Sequence, residues 1–236
     1  MKKFVILFCL ILIGLTGKSQ VLISLLLGDK LNSDQLEFGL EGGFNWASIS
    51  GMETKNLAEY INLGFYFDIK MKNQWALYTG VLIKSNLGVD KLTASDLTFL
   101  GVRTYPEEGH YKQVIKEFLV PALVKYNFKN HMYVEAGPQF GLRYKGYVEF
   151  RSNIAGLEAR IREDNEDMMQ KLDAGIVGGV GYKLLKGKGW TIGAKYFYSF
   201  VDVYKSRSGT KSSSIHLKVN IPIGAGKAQE KKSSEK

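Results

Sequence analysis

The chain has 236 residues, of which 45% are hydrophobic and 23% are charged, and its formal net charge is +9 at pH 7. This composition excludes disorder along the whole chain, and 26 Gly with only 4 Pro and no triplet period exclude a collagen-like rod. The single cysteine, Cys9, excludes an intrachain disulfide and a cysteine-based metal cage. Because the positive charge is spread along the chain, we expect no nucleic-acid partner.

Residues 1–19 have the organisation of a secretory signal peptide. A basic start is followed by an apolar run over 4–17, and the small residues Gly17 and Ser19 stand at a cleavage point. The apolar run is too short for a good membrane-spanning helix. The alternative is a retained anchor that continues over Val21–Leu27. We predict that the leader is cleaved and that the protein is exported.

From residue 36 onward, apolar and polar residues alternate in long runs, for example from Ile61 to Met71. A period of two is typical of β-strands with one apolar and one polar face. Many of the runs exceed the roughly 5–6 residues of strands in soluble sheets and reach the roughly 9–11 that a tilted membrane strand needs. The predicted strands are eight: 36–50, 59–72, 75–88, 112–128, 131–149, 172–185, 190–204 and 212–223.

The connections between these strands alternate in length. Short turns at 73–74, 129–130 and 186–189 separate long connections at 51–58, 89–111, 150–171 and 205–211. In transmembrane barrels the short turns face the periplasm and the long loops face outside. We therefore predict an all-β fold, an eight-stranded antiparallel up-and-down transmembrane β-barrel over 36–223. An N-terminal periplasmic segment or cap over 20–35 precedes it, and a charged periplasmic tail over 224–236 follows it.

Aromatic residues near the strand ends predict two interfacial belts, as in membrane barrels. The belt at the short turns would contain Trp75, Tyr126, Phe128, Tyr133, Tyr182 and Trp190. The belt at the long loops would contain Trp46, Tyr60, Tyr147, Phe150, Phe200 and Tyr204. The alternative is a soluble β-barrel whose apolar face points inward and binds a small ligand.

The polar face of the strands, which would line the barrel interior, carries charges of both signs. The predicted lumenal acids are Glu37, Glu41, Asp68, Glu117, Glu135 and Asp173, and the bases are Lys70, Lys84, Lys125, Arg143, Lys145, Lys183, Lys195 and Lys218. An eight-stranded barrel is just wide enough to be filled by its own side chains. Because an unpaired buried charge is costly, we predict a packed, ion-paired interior rather than an open pore.

No residue set in the sequence indicates catalysis, a cofactor or a metal. A Ser–His–acid set can be written from Ser213 or Ser214, His216 and Asp202, but no oxyanion-hole signature accompanies it. His110 and His131 are expected at opposite ends of the barrel. Two loops are strongly charged: the acidic stretch 158–167 matches no calcium loop, and the basic loop 205–214 would at most contact lipopolysaccharide phosphates. We predict that the protein is not an enzyme.

Several motifs, in this order, resemble the PorT-like outer-membrane β-barrel proteins of Bacteroidota. The motifs are FGLEGGFNW at 38–46, LVPALVKY at 119–126, YVEAGPQFG at 133–141, DAG at 173–175, GVGY at 179–182 and AKY at 194–196. The resemblance implies an outer-membrane barrel of about eight strands and no chemistry. PorT itself is tied to protein secretion and gliding, but membership of the broad family does not transfer that role. The charged tail departs from the aromatic terminus that is usual for barrels.

The sequence therefore predicts an outer-membrane location and a non-enzymatic role in envelope structure or surface interaction. The expected partners are outer-membrane lipid and lipopolysaccharide, and a protein bound through the long outer loops or the periplasmic tail. Two alternatives remain at this point: a secretion or transport accessory that docks periplasmic partners, and an outer-membrane lipid enzyme or small-ligand-binding barrel.

We expect the full-length chain to fractionate with the outer membrane and to change its gel mobility on boiling. A closed barrel satisfies its backbone hydrogen bonds internally and therefore stays folded in detergent until it is heated. The measurement is a gel of the outer-membrane fraction with and without boiling. A soluble periplasmic protein of unchanged mobility would contradict the prediction and favour an inward-facing apolar cavity.

Overall fold

The computed structural model describes residues 33, 35–154, 157–187 and 189–223. The predicted leader, nearly all of the segment 20–35 and the tail 224–236 lie outside the described residues. The strands are β1 (Leu36–Ile49), β2 (Asn56–Lys70), β3 (Trp75–Asp90), β4 (Gly109–Asn127), β5 (Met132–Ile154), β6 (Leu157–Asp164), β7 (Leu172–Lys183), β8 (Thr191–Asp202) and β9 (Lys211–Pro222). The helices are α1 (Ala94–Leu100), a 3-10 turn (Glu166–Met168) and α2 (Leu184–Gly187), and none of these described helices has the length and apolar content to cross a membrane.

Eight of the nine strands close into a barrel in which every neighbouring pair is antiparallel. The order around the ring is β1, β2, β3, β4, β5, β7, β8 and β9, and β9 pairs back onto β1. Phe44 of β1, for example, lies between Ile61 of β2 and Leu217 of β9. The eight-stranded up-and-down barrel predicted from the sequence is confirmed.

The ninth strand, β6, was predicted as part of the long connection 150–171. It pairs only with the last part of β5, from Tyr147 opposite Asp164 to Ile154 opposite Leu157. β5 is longer than predicted because the third long connection folds back on it as a hairpin. This hairpin projects from the outer end of the barrel, defined as the end that carries the long connections.

Side chains alternate between the surface of the barrel and its interior, as the sequence predicts. In β2, Ile61 and Leu63 are 48% and 52% exposed, whereas Asn62 between them is 3% exposed. Exposed apolar side chains occur on every strand of the ring, among them Phe44, Phe65, Val81, Val120, Val134, Ile176, Ile192 and Leu217. The barrel therefore has an apolar outside and a polar inside, the reverse of a soluble barrel with an apolar ligand cavity.

Two β-bulges reverse this alternation near the outer end. In β3 the pairing shifts between Leu82, opposite Gly64, and Lys84, opposite Leu63. In β5 it shifts between Arg143 and Lys145. Each bulge places two successive residues on the outer surface. Lys84 and Lys145, which were predicted to be lumenal, therefore point outward, and that prediction is wrong for both.

Three tyrosines fill the interior near the inner end, where the short turns lie. Tyr66 and Tyr78 stack with their ring centroids 5.6 Å apart. Tyr133, predicted in the inner aromatic belt, is instead buried in the interior, where its ring lies against Gly181 and Gly193. A side chain at either glycine would occupy the space of this ring, so the two glycines determine where Tyr133 fits.

An apolar core closes the outer end of the barrel. It joins residues of the strand ends to α1 and to the loops, and its buried members include Met52, Leu87, Leu97, Leu100, Ile115 and Met169. Tyr60, Tyr147, Phe150 and Tyr204, predicted in the outer aromatic belt, are buried in this outer cap. The strands continue past the apolar band, so aromatic residues at their ends pack into a core instead of facing lipid. Phe200 does face outward, with 60% of its surface exposed.

We expect Gly181→Ala to lower the stability of the barrel by about 1–3 kcal/mol, the usual cost of overpacking. The added methyl group would meet the Tyr133 ring and the carbonyl of Ile192. Gly178→Ala in the same strand is the matched control, because nothing lies within 4 Å of its added carbon. The midpoint of the heat-induced mobility change, measured for both variants, checks this. Equal midpoints for the two variants would show that the ring tolerates the methyl group.

Candidate functional site

The interior of the barrel contains a chain of buried ion pairs and tyrosines. Glu41 pairs with Lys195 at 2.8 Å and also accepts a hydrogen bond from the Tyr78 hydroxyl. Lys218 pairs with Glu135 at 2.6 Å, and its ammonium lies 4.0 Å from the centre of the Tyr78 ring. Each of these four buried charges thus lies beside an opposite charge, and Glu41 and Lys218 also contact Tyr78, which offsets part of the cost of burial.

Two further ion pairs lie at the inner mouth. The Lys125 ammonium is 2.6 Å from Asp68, and the Lys183 ammonium is 2.7 Å from Glu37. Glu37, Asp68 and Lys183 border a recess of about 390 Å³ that also contacts the short turns, and Lys70 and His131 lie on its rim. The inner end therefore presents an opening that is bordered by charged side chains.

The fifth pair, Arg143 with Asp173 at 2.8 Å, lies below the outer cap. Arg143 also donates to the backbone carbonyls of Gln170 and Asp202, and Asp173 accepts from the Ser199 hydroxyl. The predicted ion pairing of the interior is thus confirmed for five acids and five bases. The sixth predicted lumenal acid, Glu117, forms no ion pair with any described residue. One of its carboxylate oxygens also accepts no hydrogen bond.

His216 lies in the middle of the interior between a serine and an amide. Its Nε2 atom is 2.7 Å from the Ser214 hydroxyl, and its Nδ1 atom is 2.9 Å from the Asn62 amide nitrogen. The other residues considered with it lie apart from this group, since Ser213 bonds to Ser48 and Asp202 pairs with Lys211. His216 is 1% exposed. The structure therefore brings Ser214 and His216 together but not Asp202, and it leaves them enclosed by the packed interior.

The remaining histidines lie at opposite ends of the molecule, as expected. His110 lies at the outer start of β4, beside a recess of about 630 Å³ that also contacts Arg151 and Arg160. His131 is in a short turn at the inner end. Within residues 33, 35–154, 157–187 and 189–223, no group of three or more His, Cys, Asp or Glu residues is arranged to hold a metal ion.

Asp96 ties the first two long loops together within the outer cap. Its carboxylate accepts hydrogen bonds from the backbone N–H groups of Glu53, Thr54 and Thr93, at 2.8, 3.0 and 3.2 Å. The Thr93 hydroxyl accepts from the Asp96 N–H in return, which completes a capping box at the start of α1. Burial alone would raise the pKa of Asp96, but these hydrogen bonds outweigh burial and lower its pKa.

The projection formed by the outer parts of β4, β5 and β6 is held by ionic contacts. Glu149 accepts from Arg162 at 2.7 Å and from Arg151. Burial opposes ionisation of Glu149, yet the hydrogen bonds and charges of the two arginines lower its pKa. Glu163 accepts from the Tyr105 hydroxyl at 3.1 Å. These bonds fix the projection against the second long loop.

The basic residues of the last long loop are occupied by contacts within the protein. Lys205 donates to the Asp167 carbonyl at 2.8 Å, and the Arg207 guanidinium lies 4.5 Å from the centre of the Phe99 ring. Lys211 pairs with Asp202 at 3.1 Å. The loop that was considered for lipopolysaccharide contact therefore uses its cations to fasten the outer cap.

The sequence of this chain matches a known protein-family model. Residues 30–205 match the model described as outer membrane protein beta-barrel domain. The chain belongs to this outer-membrane β-barrel family. An outer-membrane location follows for the protein, as the sequence predicted.

Similar solved structures include three small outer-membrane proteins. Ail of Yersinia pestis, crystallised with the heparin analogue sucrose octasulfate, is 14% identical, with 80% of this chain and 99% of that chain covered and a TM-score of 0.46. Neisserial surface protein A is 11% identical, with 79% and 96% covered and a TM-score of 0.38. OprG of Pseudomonas aeruginosa is 14% identical, with 79% and 91% covered and a TM-score of 0.33. A comparison with curated proteins found no match.

Some features of this outer-membrane barrel were missed at the level of sequence. The capping box could have been predicted from the sequence, since Thr93 stands three residues before Asp96. The hydrogen bond between Asn62 and His216 could not have been predicted, because it joins two strands that are far apart in the chain. The outward position of Lys84 and Lys145 could not be predicted from the sequence, because a bulge is a feature of the pairing between two strands.

We expect Asp96→Asn to loosen the outer cap, because the charged acceptor of three backbone N–H groups is lost. Charge-assisted hydrogen bonds of this kind contribute about 1–3 kcal/mol, so exchange of the Thr54 and Thr93 amide hydrogens should be about tenfold or more faster than in the unmodified protein. Since folding lowers the pKa of Asp96 from its ordinary value of 3.8, its contribution is present above that pH and is lost as the pH falls through the folded pKa.

The measurement is the ratio of variant to wild-type amide exchange rates, taken at neutral pH and then at a series of pH values that descends well below 3.8. The ratio should be large at neutral pH and should shrink towards one in acid. Glu107→Gln, at an exposed position in the same loop, is the control and should show a ratio near one throughout. A ratio for Asp96→Asn that does not change with pH would contradict the role assigned to its charge.

Proposed function

We propose that this protein is a non-enzymatic recognition protein of the cell surface, which binds a partner protein by strand addition to β6. The observation that carries the proposal is topological. The eight ring strands pair on both sides, whereas β6 pairs with β5 alone and ends the sheet order. In the described part of the chain, β6 is thus the strand that leaves an edge open, and open edges are sites at which another strand pairs.

The register identifies which backbone groups face that edge. The Asn165 N–H donates to the Gly146 carbonyl at 2.9 Å, one position beyond the Tyr147–Asp164 pair. Hydrogen-bonded and non-bonded pairs alternate along an antiparallel ladder. The N–H groups that point away from β5 are therefore those at alternate positions: Glu158, Arg160, Arg162 and Asp164.

The edge is preorganised, which lowers the cost of binding a strand. Arg162 is bonded to Glu149, and Glu163 to Tyr105. At the base of the projection the Asn165 side chain donates to Gln113 at 2.8 Å within the buried cap. A partner would therefore meet a strand already held in extended form, outside the membrane on a rigid barrel.

The filled interior of the barrel argues against a role in transport or catalysis. Five ion pairs and the stacked tyrosines occupy it, and the outer cap closes one end. Ser214 and His216 are enclosed, so a substrate has no route to them. We propose on these grounds that the barrel conducts no solute and is not an enzyme.

A second candidate function follows from the inner end. We propose that the chain is of the PorT-like type, with a cleaved leader, on the motifs at 38–46, 119–126 and 133–141. The charged recess at the inner mouth would then dock a periplasmic partner of a secretion apparatus. This accessory role would depend on the inner recess and would be unaffected by changes in β6.

We expect Arg160→Pro to abolish binding of the surface partner, because proline removes an N–H that faces the open edge while the ladder to β5 keeps its donors. Arg160→Gln is the matched control, since it removes the same charge and keeps the N–H. The measurement is photo-crosslinking from position 159 in intact cells, comparing the yield of one defined adduct between the two variants. A yield that is unchanged in Arg160→Pro would exclude strand addition at β6, and a loss in both variants would assign the contact to the arginine charge.

A further inference from the structure

The apolar surface of the barrel ends at a lysine on each of three adjacent strands. On β3, exposed Val81 and Ile83 are followed by Lys84. On β4 the outward positions Val120 and Phe118 lead to Lys116, and on β5 the outward positions Leu142 and Tyr144 lead to Lys145. We name Lys84, Lys116 and Lys145 the lysine row. It lies at the outer boundary of the lipid-facing band, at the level of lipid headgroups.

The strand register places the lysine row on one continuous patch. Lys116 stands directly opposite Lys145 on β5 and directly opposite Asn86 on β3. Asn86 is two residues from Lys84, so the two share one face of β3. Side chains directly opposite one another in a sheet lie about 5 Å apart at their Cβ atoms, and like charges there are destabilising. Three adjacent ammonium groups therefore favour an anion.

Among the described residues, the lysine row forms a single ion pair. Among the described residues, neither Lys84 nor Lys116 forms an ion pair or a side-chain hydrogen bond. Lys145 forms an ion pair with Asp164 at 3.7 Å, and both side chains are largely exposed, at 45% and 64%. Such an exposed pair is weak. The cations of the row thus differ from those of the interior and of the last long loop, which have partners within the protein.

An aromatic platform lies directly below the lysine row. Phe118 and Tyr144 stack on the outer surface with their ring centroids 4.7 Å apart. A surface recess of about 280 Å³ beside Lys145 is bordered by Leu142, Tyr144 and Lys171, and its border also includes Glu166 and Asp167. Cations above an apolar aromatic surface match an amphiphile that has anionic groups above acyl chains. Lipopolysaccharide of the outer leaflet has this chemistry, with phosphates at the membrane surface and acyl chains beneath.

We propose that the lysine row binds the phosphate groups of outer-leaflet lipopolysaccharide, with an acyl chain lying against Phe118 and Tyr144. The two β-bulges create the site, because they turn Lys84 and Lys145 out of the interior to join Lys116. The site is separate from the edge of β6 and does not depend on the strand addition proposed above.

The test measures binding of diphosphorylated lipid A to the full-length barrel purified in a neutral detergent. The variant Lys84→Gln/Lys116→Gln/Lys145→Gln should bind roughly 100-fold more weakly, since a lysine near an anionic surface contributes about 1 kcal/mol. The control Lys72→Gln/Lys91→Gln/Lys129→Gln carries the same change of charge at exposed turn positions away from the row and should bind as the wild type does. Replacing the lysine row by three arginines should preserve binding.

Two further probes identify the source of the phosphate. Dephosphorylated lipid A should bind equally weakly to the wild type and to the glutamine variant. Inorganic phosphate should not displace lipid A from the wild type at comparable concentrations, and displacement would show a site for free phosphate and overturn the proposal. Equal binding by the two glutamine variants would also overturn it. Should the triple variant fail to show heat-modifiable mobility, Lys116→Gln alone should weaken binding by roughly fivefold.

Discussion

Closure of the sheet is the constraint on which the rest of this structure depends. In hydrocarbon no water is present to hydrogen bond with the backbone, so each strand needs a partner on both sides. The pairing of β9 with β1 supplies the last one. Closure also separates two environments, because alternate side chains then face lipid or a narrow interior. The interior must consequently be filled and electrically balanced by the residues of the strands themselves.

That balance depends on the two β-bulges. They remove Lys84 and Lys145 from the interior, which leaves five ion pairs and the unpaired acid Glu117 among its described residues. The same displacement assembles three cations at the lipid boundary with Lys116. One local irregularity in each of two strands therefore sets both the charge of the interior and the character of the outer surface.

The outer end has the organisation of a small soluble domain built on the barrel. Strands β4 and β5 continue beyond the lipid-facing band, α1 packs between the loops, and Asp96 binds the backbone of two loops at once. Such a cap can present a strand edge in a fixed position. Because the ring strands of the described residues pair on both sides, the open edge of β6 is a distinct feature for recognition.

The sequence by itself determined the number of ring strands, their approximate limits, their antiparallel order and the apolar character of the surface. Those properties follow from a period of two and from turn lengths, which are local. It also predicted that acids and bases would pair inside, without naming the pairs. Tertiary structure alone decided which residues pair, that Tyr60 and Tyr204 belong to a core rather than a belt, and that β6 exists as an edge. Register, bulges and cap packing arise from contacts between distant segments, and a one-residue shift reverses the face of every side chain beyond it.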